Sequence, residues 1–308
     1  MALNDSSKDE RAFTYLVGIG VTHSIAPLMH NFVAQSLGYN WKFIAQECPT
    51  VEDAVALFRK PTFAGGVVTM PYKGMIMKHL DGLDEHATTI GACNNVYRAA
   101  DGSLRGTNTD WRGIKGCLSD GDPQGMGKGR PALVIGAGGA SRAALYALYD
   151  QLQCSPIYIV NRDAGEVEAL RKDAEVYGGG VKIVWIRSVE EAKSLVAPYY
   201  IVGTVPDYEP QSPEEIAGRD VVEYFLLDAS TNNKGILLDM CFKPRRTRWL
   251  KLAEKHGWKM VEGTGIIGHQ IEEQYRLWVG EQAAKRIDVN AARAVLQKAA
   301  ETSPAINF

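Results

Sequence analysis

A short apolar run that turns on glycines straight into a helix leaves a chain few ways to fold. Ala132–Ile135 reads as a buried strand, Gly136-Ala137-Gly138-Gly139-Ala140-Ser141 as the turn, and Arg142–Leu152 as the helix. Glycine lets the backbone come close to a bulky anion, and the first turn of a helix presents unpaired N–H groups at the positive end of its dipole. That order of strand, turn and helix is what a dinucleotide-binding fold needs around a pyrophosphate. A glycine motif alone is weak evidence. Here the next strand, Ile157–Val160, ends at Asn161-Arg162-Asp163, where such folds read the adenosine ribose. A tight turn with no ligand accounts for less of this pattern. The candidate cofactor contacts are Gly136, Gly138, Gly139, Ala140, Ser141, Asn161, Arg162 and Asp163.

A second constraint is Gly65–Lys73, GGVVTMPYK. Val67, Val68 and Thr69 have the stiff side chains of a buried strand. Pro71 cannot continue a strand ladder and suits the first turn of a helix, which sets Lys73 at a strand-to-helix corner. In open α/β sheets ligands bind beyond the carboxyl ends of the strands, so a lysine held there is a functional candidate. Taken alone, the stretch reads slightly better as a solvated lysine on an exposed turn.

At 308 residues the chain has material for two domains, each with its own core. A formal net charge of -2 and a pI near 6.3 argue against a nucleic-acid binder and for a small soluble ligand. The five cysteines, Cys48, Cys93, Cys117, Cys154 and Cys241, show no CxxC spacing, so neither a disulfide framework nor a zinc site is expected and a reducing, cytoplasmic setting is. Met1–Arg11 is polar, with no signal-peptide run, and no stretch approaches a membrane span. The first dozen residues are expected to be disordered.

In order, Tyr15–Gly20 reads as a strand, Leu28–Leu37 as a helix ended by Gly38, Trp41–Gln46 as a strand, Val51–Arg59 as a helix and Gly65–Thr69 as a third strand. This βαβα rhythm implies a parallel sheet. A short helical stretch follows Asp84, then Cys93–Arg98 and Ser103–Arg105 flank Asp101-Gly102, a hairpin signal, and a helix starts near Thr109. Asp120–Gly129 is rich in glycine and reads as a linker. After the dinucleotide motif come strands at Val181–Trp185, Tyr200–Val202 and Ile236–Met240, with Pro206–Asp220 as a surface loop holding a short helix. Ile266–Val279 and Val289–Ala300 are helical patterns expected to pack back on the first domain.

The motifs GVTHSIAPLMHN (Gly20–Asn31), VTMPYK (Val68–Lys73), GACNNV (Gly91–Val96), GTNTDW (Gly106–Trp111), GAGGASR (Gly136–Arg142), DMCFKP (Asp239–Pro244) and GTGIIGHQIEEQYRLWVG (Gly263–Gly280), in this order, resemble the shikimate/quinate dehydrogenase family nearly end to end. The THSIAP and VTMPYK wording is similar to the fungal quinate/shikimate group. The resemblance implies reversible hydride transfer between a nicotinamide ring and a ring alcohol of quinate or shikimate. Losing a hydride from a carbinol also requires the hydroxyl proton to leave, so a base or a cation must stand beside that oxygen. By resemblance these catalytic residues are Lys73 and Asp110. The sequence leaves open whether Lys73 is the base or a charge stabiliser. Asp110 also reads as a helix cap, with Trp111–Gly116 following in helical register. Ser24, Thr69, Asn94, Asn95 and Gln270 carry over as substrate contacts, while turn stabilisation is the plain reading of Ser24 and a surface helix position that of Gln270. Gln274, one helical turn on, shares the face of Gln270.

Three departures cluster on the substrate side. Ala26 stands where the family has a second serine, Asn95 where it has a threonine, and Phe242 where it has a tyrosine. At the cofactor end, members that use NADP read Asn-Arg-Thr and a second arginine three residues on; here Asp163 replaces the threonine and Glu166 that arginine. A carboxylate accepts hydrogen bonds from ribose hydroxyls and repels a 2′-phosphate, so NAD is expected to be preferred, with NADP the lesser alternative. The expected molecule is an α/β enzyme, monomer or homodimer. It has a parallel-rich substrate domain, residues 1–112 plus 266–308, and a Rossmann-like domain, residues 113–265, with the substrate in the cleft. A same-family dehydrogenase of another cyclic polyol acid is the second reading. A catalytically silent binding or regulatory protein on this fold is the third, against which Lys73 and Asp110 weigh.

Overall fold

The structure is a computed structural model that describes residues 10–177, 180–227 and 234–308. Most of the stretch expected to be disordered, residues 1–9, lies outside the described residues. Two compact units divide the chain: the residues up to Asp110 together with Ile267–Ala305, and Trp111–Ile266 together with Ile306–Phe308. The last three residues thus fall with the second unit, where the backbone N–H of Arg245 donates to the Ile306 carbonyl at 2.7 Å.

The first unit runs β1 (Ala12–Gly18), α1 (Ala26–Ser36), β2 (Trp41–Glu47), α2 (Val51–Phe58), β3 (Phe63–Val68), a 3-10 turn (Met75–His79), β4 (Gly82–Leu83), α3 (Glu85–Ile90), β5 (Asn95–Arg98) and β6 (Leu104–Thr107). The sheet order is β2-β1-β3-β5-β6-β4, with β1 parallel to β2 and β3 and the β5-β6 hairpin antiparallel. Its parallel half follows from the βαβα rhythm; its hairpin turns where Gly102 takes φ +82°. The adjacent glycines of β3 serve opposite faces. A Cβ on Gly66 would meet Phe58 at 2.7 Å, and one on Gly65 would run into the Trp278 indole. The Gly66 face packs Tyr15, Val17, Phe58, Phe63, Val68, Val96 and Leu104 into one apolar core. Capping is local and legible: the Thr50 hydroxyl accepts the Asp53 N–H at 3.2 Å and the Asp53 carboxylate accepts the Thr50 N–H at 3.1 Å, which starts α2.

After α4 (Asp110–Gly121), the second unit continues with β7 (Ala132–Ile135), α5 (Gly139–Tyr146), β8 (Ile157–Val160), α6 (Ala164–Asp173), β9 (Ile183–Trp185), α7 (Val189–Lys193), β10 (Tyr200–Gly203), α8 (Pro213–Leu227), β11 (Ile236–Asp239), α9 (Arg248–Lys255) and β12 (Lys259–Glu262). The sheet order is β12-β11-β10-β7-β8-β9, every pairing parallel. β7, β8, β10 and β11 are buried along their whole length, which is why they read as unbroken apolar runs rather than as alternation. The chain starts in the middle of this sheet, winds outward to β9, then returns to the other side of β7, so the order reverses between β7 and β10. That is the doubly wound dinucleotide topology. Three helices close the chain: α10 (Thr264–Val279), α11 (Glu281–Ala284) and α12 (Val289–Thr302).

Several expectations need correction. Asp120–Gly129 is not an interdomain linker but an anchored loop inside the second unit. The buried Asp122 carboxylate accepts the Tyr200 O–H at 2.5 Å and the Gly127 N–H at 2.9 Å, and a Cβ on Gly127 would run into the Tyr200 ring. Gly121 and Gly127 serve close packing, while Gly125 and Gly129 take positive φ at turns. Pro206–Asp220 is not mostly loop, because α8 spans 15 residues from Pro213, a proline at the first helical position where no N–H is needed. The helix expected at Arg142–Leu152 starts at Gly139 and widens into a π turn at Ala147–Gln151. β4 and β12 went unrecognised: two and four residues carry too little periodicity.

Candidate active site

Strand pairing brings three separate motifs to one place in the first unit. The Val68 N–H donates to the Asn94 carbonyl at 2.7 Å, the Asn94 N–H to the Thr107 carbonyl at 3.0 Å, and the Cys93 N–H to the Lys73 carbonyl at 2.8 Å. Lys73, Asn94 and Asp110, distant in sequence, therefore end as neighbours. The Lys73 ammonium pairs with Asp110 Oδ2, and the two side chains are 14% and 7% exposed. Asp110 Oδ1 accepts Asn94 Nδ2–H at 2.8 Å and Gln270 Nε2–H at 3.3 Å. Asn94 Oδ1 in turn accepts the Thr109 backbone N–H at 2.6 Å, so opposite partners fix the orientation of that amide. Gln270 Oε1 accepts from the Thr109 hydroxyl at 2.5 Å, from Asn94 Nδ2 at 2.9 Å and from Gln274 Nε2 at 3.2 Å.

A buried carboxylate is tolerated only when its lone pairs are met, and here one ammonium and two amides meet them. An ammonium has three donors, so Lys73 can hold Asp110 and still face a ligand oxygen. Asp110 does not spend its side chain capping α4; Asn108 Oδ1 accepts the Asp110 N–H at 3.0 Å instead. The Asn94 amide nitrogen is engaged within the cluster, donating to Asp110 and to Gln270.

The other substrate candidates lie outside this network. Ser24 Oγ accepts the Ala26 N–H at 3.3 Å and stabilises the turn into α1. Thr69, half-buried at the end of β3, is fixed through its backbone, its N–H to the Val17 carbonyl at 2.9 Å. Asn95 is 0% exposed and its amide makes no hydrogen bond. Thr109 and Gln274 complete the cluster; the i, i+4 spacing of Gln270 and Gln274 is the signal that points to the second. Glu47 carries no sequence signal, yet its carboxylate receives the Gly20 N–H at 2.5 Å and the Val21 N–H at 3.2 Å, anchoring the loop that leads to Ser24.

In the second unit the glycine turn has the shape its sequence demands. Gly136 takes φ +116°, and a Cβ there would lie 2.5 Å from Thr204 Oγ1 across the switch point. A Cβ on Gly138 would meet nothing within 4 Å, and Gly138, at the N-cap of α5, offers no side chain to the helix N–H groups of Gly139 and Ala140. Open space in front of uncapped N–H groups fits a pyrophosphate. Ser141 faces the other way: its buried hydroxyl lies 2.7 Å from Thr204 Oγ1, which donates to the Ile135 carbonyl, so it shores up the turn.

Residues 16–96 match the family model described as shikimate dehydrogenase substrate binding domain. Over 294 residues the chain is 38% identical to the quinate dehydrogenase of Emericella nidulans, covering 89% of each. The chain belongs to the shikimate/quinate dehydrogenase family. It is thereby an oxidoreductase, and its fold agrees. The shikimate 5-dehydrogenase of Thermus thermophilus, solved with NADP(H) and shikimate, superposes with a TM-score of 0.72 at 28% identity, covering 94% of this chain and 99% of that one. The chain also matches the pentafunctional AROM polypeptide of Eremothecium gossypii at 34% identity, spanning 87% of itself and 17% of that longer protein.

For a dehydrogenase the end of β8 is the place to look for the adenosine. A cavity of about 340 Å³ opens there, lined among others by Asn161, Arg162, Trp185 and Arg187. Asp163 is not among its lining residues; its carboxylate accepts the Glu166 N–H at 2.9 Å and caps α6. Asn161 Nδ2 donates to the Glu166 carboxylate at 2.9 Å, and Arg162 pairs with Glu215. Of the substrate-side departures, Ala26 is the buried first residue of α1 and Phe242 lies half-buried after β11. Among the described residues no group of His, Cys, Asp or Glu is arranged to hold a metal, and no helix is long and apolar enough to cross a membrane.

Asp239 in the DMCFKP motif is structural. It is 1% exposed, and burial pushes its carboxyl up to about 6 against hydrogen bonds from the Thr247 hydroxyl at 2.7 Å and the Cys241 N–H at 3.1 Å, with Asp207 adding to the rise. A carboxyl raised on folding contributes stability that is fully present below its unfolded value of 3.8 and lost as pH climbs through about 6. Asp239→Asn does not ionise. Its stability relative to wild type should therefore rise by on the order of 3 kcal/mol between about pH 4 and about pH 7, at roughly 1.4 kcal/mol per pH unit separating the two values. Denaturant unfolding at the two pH values measures this; a pH-independent difference would contradict the buried-charge account.

Proposed function

We propose that the enzyme is a quinate/shikimate dehydrogenase, working in a reducing compartment such as the cytosol and preferring NAD. The observation that carries the reading is the Lys73–Asp110 pair, held by Asn94 and Gln270 with the lysine partly open to solvent. When bound, the nicotinamide cofactor would supply the hydride acceptor, with its pyrophosphate at the Gly136–Ser141 turn and its adenosine at the end of β8. The ring carbinol loses one hydride and one proton and becomes a ketone. Lys73 donates a hydrogen bond to the oxygen on which negative charge develops, and the proton leaves by way of the Lys73–Asp110 pair to water. The carboxylate keeps the ammonium in place and prevents it from swinging away when the alcohol binds.

None of the five cysteines forms a disulfide, and four are buried. The preference for NAD is supported by the pairing of Arg162, which lines the cavity at the end of β8, with the Glu215 carboxylate. The test compares kcat/KM for NAD and NADP with quinate and with shikimate. NAD should be favoured with whichever acid turns over; NADP favoured tenfold, about 1.4 kcal/mol the other way, would overturn the cofactor reading. Turnover of neither acid, with a related cyclic polyol acid accepted instead, would move the explanation to Ala26, Asn95 and Phe242.

A further inference from the structure

Arg162 is the one residue of the Asn161–Asp163 triplet whose charge would welcome a 2′-phosphate, and the fold has given it a partner from a distant element. Glu215 lies in the first turn of α8. Its Oε2 accepts the backbone N–H groups of Gln211 at 2.8 Å and Ser212 at 3.1 Å, while Ser212 Oγ accepts the Glu215 N–H at 3.2 Å. This reciprocal capping leaves Oε1 aimed at the Arg162 guanidinium. The backbone N–H groups of Gln211 and Ser212, then Arg162, hold the Glu215 carboxyl down to about 2, so it is an anion throughout the neutral range. Arg162 itself is 66% exposed, and an ion pair that open is worth little to stability. The pairing matters more for what it denies a ligand.

We propose that Glu215 sets the cofactor preference: it neutralises Arg162, a cation that lines the cavity at the end of β8, and denies it to a 2′-phosphate, so the site accepts a free ribose 2′-hydroxyl. The inference rests on reading Asn161–Asp163 as the adenosine end of the nicotinamide site. Two further carboxylates point the same way. Asp163 is committed to capping α6, and Glu166 to Asn161, so neither can turn aside to admit a phosphate without giving up a hydrogen bond.

Glu215→Gln is the informative change, because glutamine keeps the capping geometry of α8 while losing the charge. Calorimetric titration of the full chain with adenosine 2′,5′-bisphosphate and with 5′-AMP reads the effect without any turnover. Glu215→Gln should bind the bisphosphate about tenfold more tightly than wild type and 5′-AMP within about twofold, and the gain should shrink as salt rises. Adding Arg162→Ala to Glu215→Gln should cancel the gain. An unchanged bisphosphate affinity in Glu215→Gln, or a gain that survives the double substitution, overturns the role of Glu215. A wild-type protein that already binds the bisphosphate better than 5′-AMP contradicts the NAD preference alone, since the difference between variant and wild type still decides the role of Glu215. Binding of neither nucleotide to wild type overturns both.

Discussion

Lys73→Ala is expected to lower kcat by about a thousandfold, the scale on which a positioned proton-transfer or charge-stabilising group acts. The fold should survive. Asp110 keeps the Asn94 and Gln270 amides, and the 14% exposure of the lysine side chain lets water reach the vacated position. The expected cost in stability is about 1–3 kcal/mol, that of a carboxylate losing one charged partner. Lys73→Arg should recover little, because a planar fork does not present charge from the position of a compact ammonium. Turnover and unfolding measured on the same samples separate the two effects; a variant within tenfold of wild-type kcat would remove Lys73 from the reaction.

Asn94→Leu should damage stability and turnover together. The side chain meets Asp110 Oδ1, Gln270 Oε1 and the Thr109 N–H at 2.8, 2.9 and 2.6 Å, all in a region with almost no access to solvent. Leucine fills a similar volume and leaves three polar groups short of a partner. At about 1–3 kcal/mol for each buried group left unmet, a loss of roughly 4 kcal/mol is expected, tempered by Gln270 and Gln274 shifting to cover part of it. Because Asp110 is then held by one amide rather than two, kcat should fall by about a hundredfold. Denaturant midpoints and kcat measured together test this. A stable, inactive variant would instead make Asn94 a direct substrate contact.

How much of this was legible in the sequence differs between the two units. The second unit announced itself: fully buried parallel strands appear as apolar runs, and a glycine that must take φ +116° against Thr204 cannot be replaced quietly. In the first unit the motif residues Lys73, Asn94, Asp110 and Gln270 were found, but not the order in which they hold one another, because strand pairing sets that order and no local pattern encodes it. Asn94 and Gln270, expected as substrate contacts, also hold Asp110, and Asp163, expected as a ribose contact, also caps α6. In each case a polar side chain has two uses, and only the position of its neighbours decides. Glu47 and Glu215 were invisible because their partners lie 27 and 53 residues away. The misreading of Asp120–Gly129 has a similar origin. Glycine marks a flexible linker and a tight fit against Tyr200 equally well in sequence.

The most direct test of the account is the appearance of reduced-nicotinamide absorbance when quinate or shikimate is mixed with NAD or NADP and the purified protein, wild type beside Lys73→Ala. The account predicts steady reduction by wild type with at least one of the two acids, and almost none by the variant. Equal rates for the two proteins, or no reduction by wild type with either acid and either cofactor while the nucleotide still binds, would contradict the assignment of this cluster to the oxidation of a ring alcohol.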